Sequence, residues 1–252
     1  MIEFVDTAVA REASGTRLVA SAVVPSPWSE AAKGVFRLAD LPVLVVRAAP
    51  RDKELLAWTG VDNVPVVLHD REPARTCWSQ IVGLAARLAP GAVLPVDPAE
   101  RAEAMGLLEL IAGEQGLGWN GRLAMIDASV TSNGERGFPP QVAGYLAKRY
   151  GYTPAIAEHL RARVMGQLAT LAARLGARTY FGGERPNAVD VYTATFLTPL
   201  VPLSESDCPR LVPPLRAAFA TAAEAFGALV PAPLLAVRTR MFEQHLAYPI
   251  EI

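Results

Sequence analysis

The hydrophobic period of this chain changes once, between residues 88 and 97, and that single change limits the architecture more than any motif does. Up to Leu88, short β-branched runs alternate with helical stretches, the pattern of an α/β layer. From Asp97 onward the apolar spacing is helical throughout and predicts about six or seven helices and no strand. In the first part, residues 2–16 form a lead-in with a short strand at Glu3–Ala8. Arg17–Val24 and Leu41–Arg47 then read as strands on either side of a helical stretch, Ala31–Leu38, so they should lie parallel and joined by a right-handed crossover. Arg51–Thr59 is a short helical or irregular link, Asn63–Leu68 a strand, Ala74–Cys77 a short antiparallel strand, and Ser79–Leu88 an amphipathic helix. The order is β-α-β-(α)-β-β-α. Ala89–Pro95, with two prolines and a glycine, reads as a linker. The expected division is therefore a small α/β domain over 1–88, a linker over 89–96 and an all-helical domain over 97–252.

Two prolines carry specific information. Pro65 opens an apolar run, Val66-Val67-Leu68, and proline cannot donate to a sheet ladder, so it belongs at a strand's first position, at a bulge or on an edge. A trans Val64–Pro65 bond is the commoner case. A cis bond would turn the Val64 N–H and C=O outward, where a peptide-like ligand could pair with them. Pro27 follows Ser26 and precedes a helical stretch, so Ser26 is expected at the N-cap with proline at the first helical position. In the helical part, Asp97-Pro98-Ala99-Glu100, Thr153-Pro154 and Asn187-Ala188-Val189-Asp190 are further helix starts. In the last of these, Asn187 can cap the first turn while the Asp190 carboxylate reaches back.

Composition excludes several function classes. With 51% apolar and 19% charged residues over 252 positions the chain can bury a substantial core. A net charge of −1 with scattered basic residues leaves no footprint for nucleic acid or an anionic membrane. No apolar run is long enough to span a bilayer, and the acidic start lacks the form of a signal peptide, so a cytoplasmic protein is expected. Cys77 and Cys208 stand alone, and His69, His159 and His245 are far apart, so neither a disulfide framework nor a metal cluster is expected.

Three motifs, in order, resemble those of the cytosolic glutathione S-transferases, over roughly residues 17–226. Ser26-Pro27-Trp28-Ser29-Glu30 looks like the thiol-facing segment of bacterial members. Asn63-Val64-Pro65-Val66-Val67 resembles the cis-proline motif, and Tyr180-Phe181-Gly182-Gly183-Glu184-Arg185-Pro186-Asn187-Ala188-Val189-Asp190 resembles the capping box of the helical domain. The resemblance implies a thioredoxin-like first domain, an all-helical second one, glutathione as co-substrate and a homodimer. It also implies that Val64 and Pro65 meet the tripeptide backbone, while Ser26, with the N–H groups of Trp28 and Ser29, faces the thiol. Ser29 is a second candidate for the hydroxyl. A helix N-terminus and hydroxyl donors would favour the thiolate. With no cysteine in this segment, exchange through a protein mixed disulfide is not expected.

One position departs from the family pattern. Where the family has an acid–serine pair for the γ-glutamyl end, this chain has Trp78-Ser79. Ser79 keeps a hydroxyl and N–H at a helix start, but Trp78 offers no carboxylate; it reads equally as an apolar plug between sheet and helix. Trp28, Trp119, Met125 and Tyr145 are candidates for the co-substrate pocket, and Gly116–Gly121 is expected to break a helix beside a cleft. The leading expectation is thiol conjugation to a small hydrophobic electrophile. The alternatives are a non-catalytic binding or interaction protein on this scaffold, or a glutathione-dependent isomerase, dehalogenase or ether-cleaving enzyme.

Overall fold

The computed structural model describes residues 1–22, 24–49 and 52–252. Val23, inside the first expected strand, and Arg51, at the head of the expected link, lie outside the described residues. Four strands form one mixed sheet: β1 (Ile2–Phe4), β2 (Thr16–Ser21), β3 (Val43–Ala48) and β4 (Val66–His69), in the spatial order β1-β3-β2-β4. β2 runs parallel to β3, with Leu18 opposite Val45, and antiparallel to β4, with Leu18 opposite Val67. Lying between two neighbours and covered on both faces, β2 is buried along its whole length, which suits its run Leu18-Val19-Ala20.

The sequence expectations hold for the strand order and shift at the edges. The lead-in forms β1 and then a short helix, α1 (Thr7–Glu12), so the strand expected at Glu3–Ala8 ends at Phe4. β1 adds a parallel edge to β3, and the Arg47 guanidinium lies 3.7 Å from the centre of the Phe4 ring. The strand expected at Ala74–Cys77 shrinks to one bridge, Val67 with Arg75, whose two main-chain bonds measure 2.9 and 2.8 Å. Thr76 and Cys77 instead turn their N–H groups to the Gln80 side chain at the start of the next helix.

Helix α2 (Pro27–Leu38) crosses from β2 to β3, α3 (Lys53–Thr59) precedes β4, and α4 (Trp78–Leu88) follows it. Seven further helices come after residue 96: α5 (Pro98–Ala112), α6 (Leu117–Thr131), α7 (Pro140–Tyr150), α8 (Pro154–Leu175), α9 (Ala188–Phe196), α10 (Pro213–Phe226) and α11 (Ala232–Gln244). Asp97 caps α5 by accepting from Ala99 and Glu100 N–H, and Thr153 caps α8 through Ile156 N–H. The apolar stripe Leu160, Val164, Leu168, Leu171 and Leu175 is buried along α8.

Helix α9 is the centre of the packing, with all nine of its residues buried. Its start is held by a reciprocal cap. Asn187 Oδ1 accepts from Val189 N–H at 2.8 Å, and Asp190 Oδ2 accepts from Asn187 N–H at 2.9 Å. Asp190 also accepts from Phe181 and Gly182, which pins the preceding turn. Gly34 lets α2 press on this helix, because a Cβ there would stand 2.5 Å from Val191 Cγ1. One apolar core therefore runs from β2, β3 and α2 through α9 into α5–α11. A smaller one, around Val19, Val46, Leu55 and Val66, lies under α1 and α3 on the other sheet face. No described helix is long and apolar enough to cross a membrane.

Candidate active site

A cleft of about 1120 Å³ opens between the sheet edge at β4 and helices α5, α6 and α7. Its sheet-side wall is made by Ser21, Ser26, Trp28, Val64, Pro65, Cys77 and Trp78, and its helical wall by Leu117, Trp119, Arg122, Met125 and Tyr150. The Val64–Pro65 bond is cis. Proline stands just outside the ladder, whose first paired residue is Val66, as its missing N–H requires. Val64 lines the cleft, and neither its N–H nor its C=O bonds another main-chain group among the described residues.

Ser26 occupies the N-cap of α2, with extended backbone at φ −60°, ψ 122°, but its hydroxyl makes no capping bond. This corrects the sequence expectation that the hydroxyl would close the helix. Only the Ser26 carbonyl does so, accepting from Glu30 N–H at 2.9 Å. The hydroxyl has no hydrogen-bond partner among the described residues and belongs to a residue on the cleft wall. Ser29 is placed differently. It is fully buried, its Oγ accepts the Ser21 N–H at 3.3 Å, and it does not line the cleft. The second candidate hydroxyl is thus spent on holding α2 to the end of β2.

Trp28 turns the first helical turn of α2 toward the helical part. Its Nε1–H donates to the Ala112 carbonyl at 3.1 Å, and its ring meets Phe196 edge-on at 4.8 Å. Phe196 stacks in turn on Tyr192, one helical turn earlier, with ring centres 5.6 Å apart. Trp78, half-buried at the first position of α4, meets Tyr192 edge-on at 6.3 Å. It packs against the core, as the plug reading expects, and also lines the cleft. Burial pushes the Tyr192 phenol far above its ordinary value, so it stays neutral. Ser79 lies outside the cleft lining, its Oγ 3.2 Å from Cys77 Sγ.

The glycine-rich stretch does not break a helix internally. The break falls just before it, between α5 and α6, and Gly116 is the N-cap of α6. Gly118 is required by contact, since a Cβ there would lie 2.5 Å from the Phe196 ring and 3.0 Å from Trp28. Of the pocket candidates, Trp28, Trp119 and Met125 lie in the cleft wall and Tyr145 stands exposed at its rim.

Two cleft residues were not singled out from the sequence. Cys77 is exposed at the N-cap of α4, where the sequence offers only an isolated cysteine. Arg122 lies with its guanidinium carbon 4.7 Å from the Trp28 ring centre and 5.0 Å from that of Tyr150. The spacing Trp119-x-x-Arg122 puts an aromatic and a cation on one helix face, a signal that is weak until the facing rings are known.

No protein-family model matches this chain. No curated protein matches it either. Solved structures do. A glutathione transferase family member from Pseudomonas fluorescens, with two glutathione bound, is 16% identical with a TM-score of 0.56, covering 89% of this chain and 93% of its own. A glutathione S-transferase from Methylobacterium radiotolerans, in complex with glutathione sulfonate, is 19% identical with a TM-score of 0.55, covering 95% and 98%. Glutathione transferase Omega 1C from Trametes versicolor is 14% identical with a TM-score of 0.56, covering 92% and 89%. At such identities the likeness is one of architecture, and the strand order, the cis-proline edge and the helical half together give this chain the glutathione transferase fold.

Proposed function

We propose that the cleft binds glutathione and activates its thiol for attack on a small electrophile. The observation that carries this reading is Ser26, a residue of the cleft wall at the tip of α2 whose hydroxyl makes no capping bond. A hydroxyl donor at a helix N-terminus favours a thiolate over a thiol, because both the donor and the helix dipole stabilise negative charge there. The Val64 main chain, without a main-chain partner among the described residues, suits an extended tripeptide that pairs through its own amide groups. Relatives of the same fold carry glutathione or glutathione sulfonate, which supports the choice of thiol. The setting that goes with this reading is a cytoplasmic homodimer.

Trp78 supports a second reading, a binding protein on this scaffold without turnover. It fills the position where a carboxylate would receive the γ-glutamyl ammonium, and an indole can offer that group at most a cation–π contact. Passage over immobilised glutathione, followed by assay with an activated chloronitrobenzene, tests both. Retention, elution by free glutathione and turnover support the enzyme. Retention without turnover over a panel of electrophiles removes the enzyme, and clean flow-through at neutral pH overturns the glutathione reading in favour of a binding protein for another ligand.

A further inference from the structure

The helical wall of the cleft contains a guanidinium with no carboxylate to balance it. Arg122 is half-buried, lies over the rings of Trp28 and Tyr150, and donates from Nη1 to the Tyr150 hydroxyl. It takes part in no ion pair among the described residues. A guanidinium carries five N–H donors in a fixed plane, and the Tyr150 oxygen uses only part of that fork. The two rings flank the guanidinium on the cleft wall, where an anionic ligand can join it through a charge-assisted fork.

The other charged groups of the cleft do not fill that role. Glu109 and Glu114 are exposed at the rim, Asp62 is exposed beside β4, and the Asp52 carboxylate is engaged with the N–H groups of Glu54 and Leu55. Arg149, the other cleft cation, is exposed and donates to the Tyr145 hydroxyl at 2.9 Å. Around Arg122 the wall is apolar, with Trp119, Met125, Phe138 and Leu200. The rim acids repel free anions, so a ligand needs an apolar body to enter and an acidic group to reach Arg122.

We propose that the co-substrate is a carboxylate-bearing electrophile on an apolar, flat frame, with its carboxylate forked onto Arg122 and its reactive carbon toward the Ser26 turn. Trp28 links the two places, because it stands two residues beyond Ser26 and its ring centre lies 4.7 Å from the guanidinium carbon. The inference rests on the glutathione reading of the Ser26 side. For an aryl chloride, the glutathione sulfur forms the new C–S bond, chloride leaves with the bonding pair, and the thiol proton goes to solvent.

Calorimetry with 4-chloro-3-nitrobenzoate and its methyl ester tests this without requiring turnover. The acid should bind at least about tenfold tighter than the ester, as a charge-assisted fork warrants. Arg122→Gln should abolish that preference, and Arg122→Lys, which keeps the charge without the fork, should keep part of it. Equal affinities in the parent, no measurable binding of the acid, or a preference that survives in a folded Arg122→Gln overturns the proposal. Saturating S-methylglutathione, which has no free thiol to react, should shift the affinity for the acid by less than about twofold, because the two ligands occupy different walls. Outright competition would assign Arg122 to glutathione and also overturn it. Preference for the acid in a protein that fails to bind glutathione leaves the carboxylate site on Arg122 standing, but overturns its ligand's role as a co-substrate together with the reading of the Ser26 side.

Discussion

The indole N–H of Trp28 donates to the main-chain carbonyl of Ala112 at 3.1 Å, tying the first turn of α2 to the last turn of α5. Ala112 ends its helix, so its carbonyl has no later N–H within α5 to accept from, and Trp28 satisfies it. Trp28→Phe keeps the ring but strands that carbonyl. The expected cost is about 1 kcal/mol in urea unfolding, with a larger proportional loss in turnover because the same ring carries the cleft wall. Unchanged stability and activity would mean that water replaces the bond freely.

Ser26 and Ser29 should respond in opposite ways. Ser26→Ala removes a hydroxyl that caps nothing, so turnover should fall by about tenfold or more with little change in the urea midpoint. Ser29→Ala strands the buried Ser21 N–H and should cost about 1–3 kcal/mol of stability. Parent-level activity in Ser26→Ala, towards any accepted electrophile, removes Ser26 from the mechanism.

Gly118→Ala should be poorly tolerated although alanine is the better helix former. The added methyl meets the Phe196 ring and then Trp28, and overpacking of this kind costs about 1–3 kcal/mol. Gly106, on the neighbouring helix α5 with open space around its missing Cβ, is the control. Gly106→Ala should stabilise by a few tenths of a kcal/mol or more, and equal effects at both sites would rule out contact as the cause.

Trp78→Glu restores an acid at the expected γ-glutamyl position. Glutathione should bind more tightly by calorimetry, while the loss of the edge contact with Tyr192 lowers stability by about 1–3 kcal/mol. Weaker binding would mean that Trp78 shapes the cleft for a different ligand end.

Asp190 provides a test by pH. Burial raises its carboxyl from the ordinary value to about 6, against the pull of the N–H groups from Asn187, Phe181 and Gly182. Because the folded value exceeds the unfolded one, the contribution to stability is fully present below about pH 4 and is lost as pH rises through 6. The stability difference between the parent and Asp190→Asn should therefore grow in the parent's favour from pH 7 to pH 4, by up to about 3 kcal/mol. Urea midpoints at pH 7, 5.5 and 4 measure this; a difference that shrinks toward low pH would show that the charged form is the one the fold prefers.

Much of the fold was legible along the chain because it depends on local chemistry. Period separates the α/β part from the helical part, proline marks the first residues of α2, α5 and α8, and the Asn187–Asp190 cap lies within four residues. The expected strand at Ala74–Cys77 failed because its pairing depends on how far β4 extends, and only Val67 meets it. Ser26 was read correctly by position and incorrectly by bond, since the N-cap backbone follows from Ser-Pro while the hydroxyl's partner does not.

Sequence alone settled most of the strands and helices, the proline at the head of β4 and the serine at the tip of α2, since each follows from backbone propensity and spacing within a few residues. The packing of distant segments decided the rest. It selected Ser26 over Ser29 for the cleft, moved Trp78 onto Tyr192 and set Arg122 against rings contributed by α2 and α7. Those outcomes depend on which faces meet across the core, and a face has no partner until the chain has folded around it.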